Sequence, residues 1–202
     1  MRVAIYTLGC KVNQYETQAL ETELERRGHT LVPFTGEADA YIINTCTVTA
    51  VSDQKSRQTI RQARKRAPRA VVAVCGCYAQ TAPEAVRALE VDLVMGTGER
   101  MAFLDALEDL ARARQAQPLV RVDDALCRRT YERLSAGGLE GRTRAMLKVE
   151  DGCVNFCTYC IIPYARGPIR SLPLADAVCE AKRLAGEGYR ELVLTGIEIS
   201  SW

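Results

Sequence analysis

Short apolar runs alternate with helical segments through the first half of the chain, and this alternation constrains the fold more than any other feature. Residues 2–8, 41–44, 70–74 and 93–95 read as strands. Between them, residues 14–27 place Ala19, Leu20 and Leu24 at helical spacing, with Gly28 positioned as a C-cap. Residues 52–66 form a polar helix that Pro68 stops, with Asp53 near its start as a cap. Residues 83–89 form a short helix, and residues 101–114 carry Leu104, Leu107, Leu110 and Ala111 on one face. Residues 70–74 are apolar throughout, the pattern of a strand covered on both faces of a parallel sheet. The alternation predicts an α/β fold, a doubly wound parallel sheet with helices on both sides.

Between Gln115 and Arg142 the pattern breaks, and Gly137-Gly138-Leu139-Glu140-Gly141 reads as a flexible joint. A new unit follows: a strand at 145–150, a cysteine-rich loop, a helix at 174–185 and a strand at 191–195. The helix puts Leu174, Ala177, Val178, Ala181, Leu184 and Ala185 on one stripe, with Ser171 as its expected N-cap. The expected organisation is a first domain at 1–116, a linker at 117–141 and a second unit at 142–202. That second unit amounts to about a quarter of a βα barrel. An incomplete barrel exposes a sheet edge, so the isolated chain is expected to associate or to have a poorly ordered second half.

Composition narrows the chemistry. The 202 residues include nine cysteines and one histidine, His29. One histidine disfavours a Ser–His–Asp triad and excludes a multi-histidine metal site on this chain; a turn position suffices for it. The 27 basic and 25 acidic side chains leave a formal charge of +2, too little for a global polyanion-binding field. No apolar run approaches the ~20 residues that cross a bilayer. The start of the chain lacks a secretory signal's apolar stretch. The cysteines are therefore expected in a reducing cytoplasm, where such a set reads as metal-binding or catalytic. An odd number also prevents all nine from pairing within one chain.

Cys153, Cys157 and Cys160 form C-x3-C-x2-C directly after a strand. Three thiolates in one loop can hold three corners of a cubane iron–sulfur cluster, leaving one iron open to a small molecule. Zinc is the alternative, but a structural zinc site closes with four protein ligands, often as two C-x2-C pairs. The x3 spacing and Tyr159 before the last cysteine fit the cluster better. Cys10, Cys46 and Cys77 are far apart in sequence, yet each falls at the C-terminal end of an expected strand. In an open α/β sheet those ends gather on the edge where ligands bind. Cys75 shares a strand face with Cys77 and competes with it as a ligand; otherwise it is a small buried hydrophobe. Cys127 and Cys179 read as free thiols.

The C-x3-C-x2-C loop with its aromatic resembles the radical S-adenosylmethionine superfamily. The words Thr7-Leu8-Gly9-Cys10-Lys11-Val12-Asn13-Gln14-Tyr15-Glu16-Thr17, Asn44-Thr45-Cys46-Thr47-Val48-Thr49 and Gly76-Cys77-Tyr78-Ala79-Gln80 are similar to the N-terminal domain of the methylthiotransferase family. The resemblance implies two 4Fe–4S clusters. Cys153, Cys157 and Cys160 would hold the one that binds S-adenosylmethionine and cleaves it to a 5′-deoxyadenosyl radical, and Cys10, Cys46 and Cys77 the auxiliary one. It also implies a contact from Gly196 to S-adenosylmethionine and a reductant protein such as flavodoxin or ferredoxin. The Lys11–Thr17 wording and Cys160-Ile161-Ile162-Pro163-Tyr164-Ala165-Arg166-Gly167 most resemble the branch acting at C2 of N6-threonylcarbamoyladenosine at tRNA position 37. Other branches act on isopentenyladenosine in tRNA or on an aspartate of a ribosomal protein. A non-catalytic iron–sulfur module is the reading from a different class. The sequence assigns no residue a catalytic role.

Other features stay open between function and structure. Lys55, Arg57, Arg61, Arg64, Lys65, Arg66 and Arg69 form a basic stretch that would suit tRNA phosphates or a solvated helix face. Arg166 and Arg170 would suit an anion or the surface. Gly96-Thr97-Gly98 has Met101 where a dinucleotide fingerprint needs glycine, and reads as a turn. The acids of Glu150-Asp151-Gly152 would suit orienting backbone or ligand groups, although a turn role suffices.

Overall fold

A computed structural model describes residues 1–136 and 143–202. The expected joint at 137–141 lies outside the described residues.

The first domain follows the predicted alternation: β1 (Arg2–Thr7), α1 (Lys11–Arg26), β2 (Thr30–Val32), β3 (Ala40–Thr45), α2 (Ala50–Arg66), β4 (Val71–Gly76), α3 (Cys77–Thr81), α4 (Pro83–Arg87), β5 (Leu93–Met95), α5 (Arg100–Arg112) and β6 (Leu119–Arg121). The six strands form one sheet in the order β2-β1-β3-β4-β5-β6, and every pairing is parallel. The strand period of two sends alternate residues to opposite faces. Val3, Ile42, Ala73 and Leu93 meet Leu20 and Leu24 of α1 and Phe103, Leu104 and Leu107 of α5. Ala4, Tyr41, Ile43, Val72 and Val74 meet Ile60 and Ala63 of α2 and Val86 of α4. Leu20, Leu24, Leu104 and Leu107 are all fully buried, each contributing roughly 1.5–3 kcal/mol.

Several local expectations change. The sixth strand comes from the segment read as linker, because Leu93↔Leu119 and Val94↔Val120 extend the sheet past residue 116. α1 starts three residues earlier than its apolar stripe suggests, with Cys10 at its N-cap position. The cap of α2 is Thr49, whose Oγ1 accepts from the Ser52 amide at 3.1 Å; Asp53 sits inside the first turn. His29 is more than a turn residue, since its Nε2 lies 2.9 Å from Glu108 Oε1.

The second unit contains β7 (Arg144–Lys148), β8 (Glu150–Asp151), α6 (Ile162–Arg166), β9 (Arg170–Ser171), α7 (Leu174–Gly186) and β10 (Glu191–Thr195). β10 pairs parallel with β7, and β8 antiparallel with β9. Ser171 lies in β9 rather than capping α7, whose N-cap is Pro173 with no side-chain hydrogen bond. Ala177 and Leu184 are buried against Ala145 and Leu147, but Leu174 and Val178 are exposed. The sheet beneath α7 has two strands, so only part of its apolar stripe is covered. α1 meets the second unit directly, where Lys148 Nζ donates to Glu16 Oε1 at 3.1 Å, and the segment before it, where the Tyr15 hydroxyl donates to Leu134 O at 2.5 Å and Tyr15 and Ala19 pack with Leu134 and Ala136.

Candidate cluster-binding site

Cys10 follows β1, Cys46 follows β3 and Cys77 follows β4. These strands are adjacent and parallel, so all three cysteines come to one edge of the sheet. Two glycines allow the loops to close. Gly9 has φ +105°, and a Cβ there would stand 2.9 Å from Cys46 Sγ. Gly76 has φ +96°, and a Cβ would stand 2.5 Å from both Asn44 Oδ1 and Thr45 O.

Asn13 ties these loops together. Its Nδ2 donates to Leu8 O and to Thr45 O, both at 2.9 Å, just before Cys10 and Cys46. Its Oδ1 is 3.8 Å from Cys10 Sγ. Asn44 Nδ2 donates in turn to Asn13 O at 3.0 Å. Cys46 and Cys77 are buried and Cys10 is exposed. Burial pushes the Cys77 thiol up, and the neighbouring Arg166 guanidinium opposes that rise. Cys75 belongs to the apolar core with Leu20, Ile42 and Phe103, where burial pushes its thiol up to about 11. That environment suits a packing residue.

The second set lies between β8 and α6. Cys153 and Cys160 are half-buried, Cys157 is exposed, and Tyr159 is 90% exposed. The Cys153 amide donates to Gly167 O at 3.0 Å, and the Cys160 amide to Cys157 O at 2.9 Å. Glu150, open in sequence to orienting backbone or ligand groups or to a plain turn role, is buried and takes the first with backbone. Its Oε2 accepts from the Ile197 and Glu198 amides at 2.7 Å each, while its Oε1 is buried without a hydrogen-bond partner among the described residues. This holds the turn containing Gly196 against β8; a Cβ at Gly196 would stand 2.7 Å from Glu150 Oε2.

Arg166 is not on the surface, which corrects one of the two openings the sequence left for it; most of its guanidinium is taken up by protein groups. It is fully buried at the end of α6, which packs against α3 and so against the segment that starts with Cys77. Its guanidinium pairs with Glu16, donates to Asn13 Oδ1 at 2.5 Å and lies 3.5 Å from Asp151 Oδ2. Arg170 is buried too, donating to Arg166 O at 2.9 Å and Pro168 O at 2.6 Å. Glu16 also accepts from Arg100 at 2.6 Å and from Lys148 at 3.1 Å. Burial alone would raise the Glu16 carboxyl, but Arg100, Arg166 and Lys148 hold it well below the usual carboxylate range. Asn13, Glu16, Arg100 and Lys148 had no assigned role in the sequence. The available signal was Asn13 and Glu16 standing three apart on one helix face.

Among the described residues, no group of three or more His, Cys, Asp or Glu side chains is arranged to hold a single metal ion. Sulfurs that bind different irons of a cubane stand farther apart than ligands around one ion. The donor chemistry fits such a cluster in two respects. Among the described residues four cations, Arg100, Lys148, Arg166 and Arg170, are ion-paired with two carboxylates, Glu16 and Asp151, an excess of positive charge that suits anionic sulfur beside Cys77. The buried Arg166 Nε also has no hydrogen-bond partner among the described residues; such a group costs about 1–3 kcal/mol when left unpaired.

The basic stretch divides. Arg64 donates to Glu90 O, Ala70 O and Asp92, Arg66 to Phe34 O, and Arg57 to the Tyr78 hydroxyl. Lys55, Arg61, Lys65 and Arg69 are exposed and make no ion pair among the described residues. The Gly96-Thr97-Gly98 turn is filled by protein groups: the Thr97 amide donates to Gln80 Oε1 at 3.0 Å, and Arg128 donates to Thr97 Oγ1 at 2.6 Å.

Residues 2–96 match the family described as Uncharacterized protein family UPF0004. The chain is 45% identical over 201 residues to the threonylcarbamoyladenosine tRNA methylthiotransferase of Bacillus subtilis, covering 99% of this chain and 44% of that protein. It is 41% identical to the Aquifex aeolicus protein of the same name, covering 100% and 49%, and 39% identical to that of Thermotoga maritima, covering 99% and 45%. The chain therefore spans just under half the length of the curated relatives it matches. No helix among the described residues is long and apolar enough to cross a membrane. Residues 2–96 are thus a UPF0004 domain, and the chain as a whole is similar to part of these tRNA methylthiotransferases.

Proposed function

We propose that the protein is a cytoplasmic radical S-adenosylmethionine methylthiotransferase that modifies C2 of N6-threonylcarbamoyladenosine at tRNA position 37. The observation that carries this reading is the convergence of Cys10, Cys46 and Cys77 on one sheet edge, joined through Arg166 to the loop of Cys153, Cys157 and Cys160. Each triad would hold one 4Fe–4S cluster with an open iron. The chemistry such clusters supply when bound is an electron for S-adenosylmethionine at one and sulfur for transfer at the other.

The chain's own residues position and shield. Asn13 and Asn44 brace the loops that carry Cys10 and Cys46, and Glu150 holds the Gly196 turn beside the second set. Gly196 is the proposed contact to S-adenosylmethionine. Phe156 and Tyr164, edge to face at 5.7 Å and both exposed, offer a surface on which a splayed anticodon-loop base can stack. Lys55, Arg61, Lys65 and Arg69 offer cations to tRNA phosphates. A flavodoxin or ferredoxin would supply electrons.

Anaerobic reconstitution of the protein should give about eight irons per chain, and replacing Cys10, Cys46 and Cys77 with Ala should halve that. Stoichiometric zinc without iron would overturn the reading. The dithionite-reduced protein should release 5′-deoxyadenosine from S-adenosylmethionine. Mass spectrometry of tRNA from cells lacking the protein should show loss of methylthio-threonylcarbamoyladenosine; unchanged levels would reject the substrate.

A further inference from the structure

We propose that Arg166 is a positioning residue whose buried guanidinium, delivered from the second unit, sets the charge beside Cys77 and raises the reduction potential of the cluster held by Cys10, Cys46 and Cys77. This rests on the reading that those three cysteines hold a cluster. Four observations carry it. Arg166 ends α6, the helix that follows the Cys153–Cys160 loop, yet its side chain is buried in the first domain's site. Asn13 Oδ1 accepts from Arg166 Nη2 at 2.5 Å, and the same atom faces Cys10 Sγ at 3.8 Å. Asn13 Nδ2 holds the backbone before Cys10 and Cys46. α6, which Arg166 ends, packs against α3, whose first residue is Cys77, and Nε remains a buried donor without a partner among the described residues.

The other groups fix Arg166 rather than replace it. Glu16 and Asp151 accept from it and also from Lys148, so the guanidinium is anchored by carboxylates that it shares with Lys148. Positive charge and N–H donors near ligand sulfur favour the reduced, more negative state of a cluster. Removing them should therefore make reduction harder.

The test uses the full chain with Cys153, Cys157 and Cys160 replaced by Ala, reconstituted anaerobically, so that one cluster gives the signal. The midpoint potential is read by titration followed by electron paramagnetic resonance. Arg166→Met and Arg166→Gln should both shift the midpoint to more negative values, and Arg166→Lys should stay near the parent. Lys148→Met breaks the same network away from Cys77; it should lower the melting temperature while shifting the midpoint less than half as far. Loss of iron from both neutral variants with retention in Arg166→Lys supports the same assignment. An unmoved midpoint in either neutral variant, or loss of iron from all three, overturns it. Absence of iron in the parent lacking Cys153, Cys157 and Cys160 would instead reject the cluster reading itself.

Discussion

Glu16 shows how much can depend on one carboxylate. It is 1% exposed and accepts from Arg100, Lys148 and Arg166. Removing one partner from such a group leaves buried charge uncompensated, at about 3–5 kcal/mol. Glu16→Gln should lower the unfolding free energy by that amount at pH 7, read by urea denaturation. The pH dependence has a definite sign. The folded-state pKa of Glu16 lies below its ordinary value of 4.5. Its stabilisation is therefore complete above about pH 4.5 and is lost as pH falls through the folded value. The Gln variant should lack that part of the acid-side slope. The role of this residue was not legible in the sequence for a plain reason: Lys148 and Arg166 are 132 and 150 residues away in the chain. The six cysteines proposed as cluster ligands could be picked out in the sequence because three share a loop and three sit at strand ends that a parallel sheet must gather.

At the scale of elements, strand positions were the most readable and caps the least. An apolar run such as 70–74 has few alternatives to a central strand, and β4 is there. Thr49 and Asp53 are both good capping residues, and only the backbone decides that Thr49 takes the role. α2 also separates structural from available charge. Arg64 Nη2 meets Asp92 Oδ2 at 2.5 Å, and that oxygen also accepts from the Val72 amide at 2.8 Å, so Arg64 anchors the helix to the sheet. Lys55, Arg61 and Lys65 are exposed. Changing all three to Ala should leave stability within about 0.5 kcal/mol per site. It should weaken tRNA binding and flatten the slope of log affinity against log salt by about 2, given roughly 0.7 per lost phosphate contact. Filter binding across a salt series reads this; an unchanged slope would remove α2 from the tRNA interface.

For the whole molecule, the question is what makes two units act as one site. α1 serves both. Leu20 and Leu24 anchor it in the sheet's core, while Asn13, Tyr15, Glu16 and Ala19 face the second unit or the segment leading to it. The sheet domain is held by apolar layers on both faces, which protonation does not affect. The junction is held in large part by charge. Acid should therefore uncouple the two in a fixed order. As pH falls below about 4.5 and toward the depressed folded value of Glu16, its pairs with Lys148 and Arg166 weaken. Backbone amides of β7 and β10 should then lose hydrogen-exchange protection, corrected for intrinsic rates, while those of β3 and β4 keep theirs. In Glu16→Gln the second unit should already be less protected at pH 7 and respond less to acid. Simultaneous loss of protection in all four strands would mean that apolar contacts of α1 and Leu134, rather than the buried charges, carry the junction.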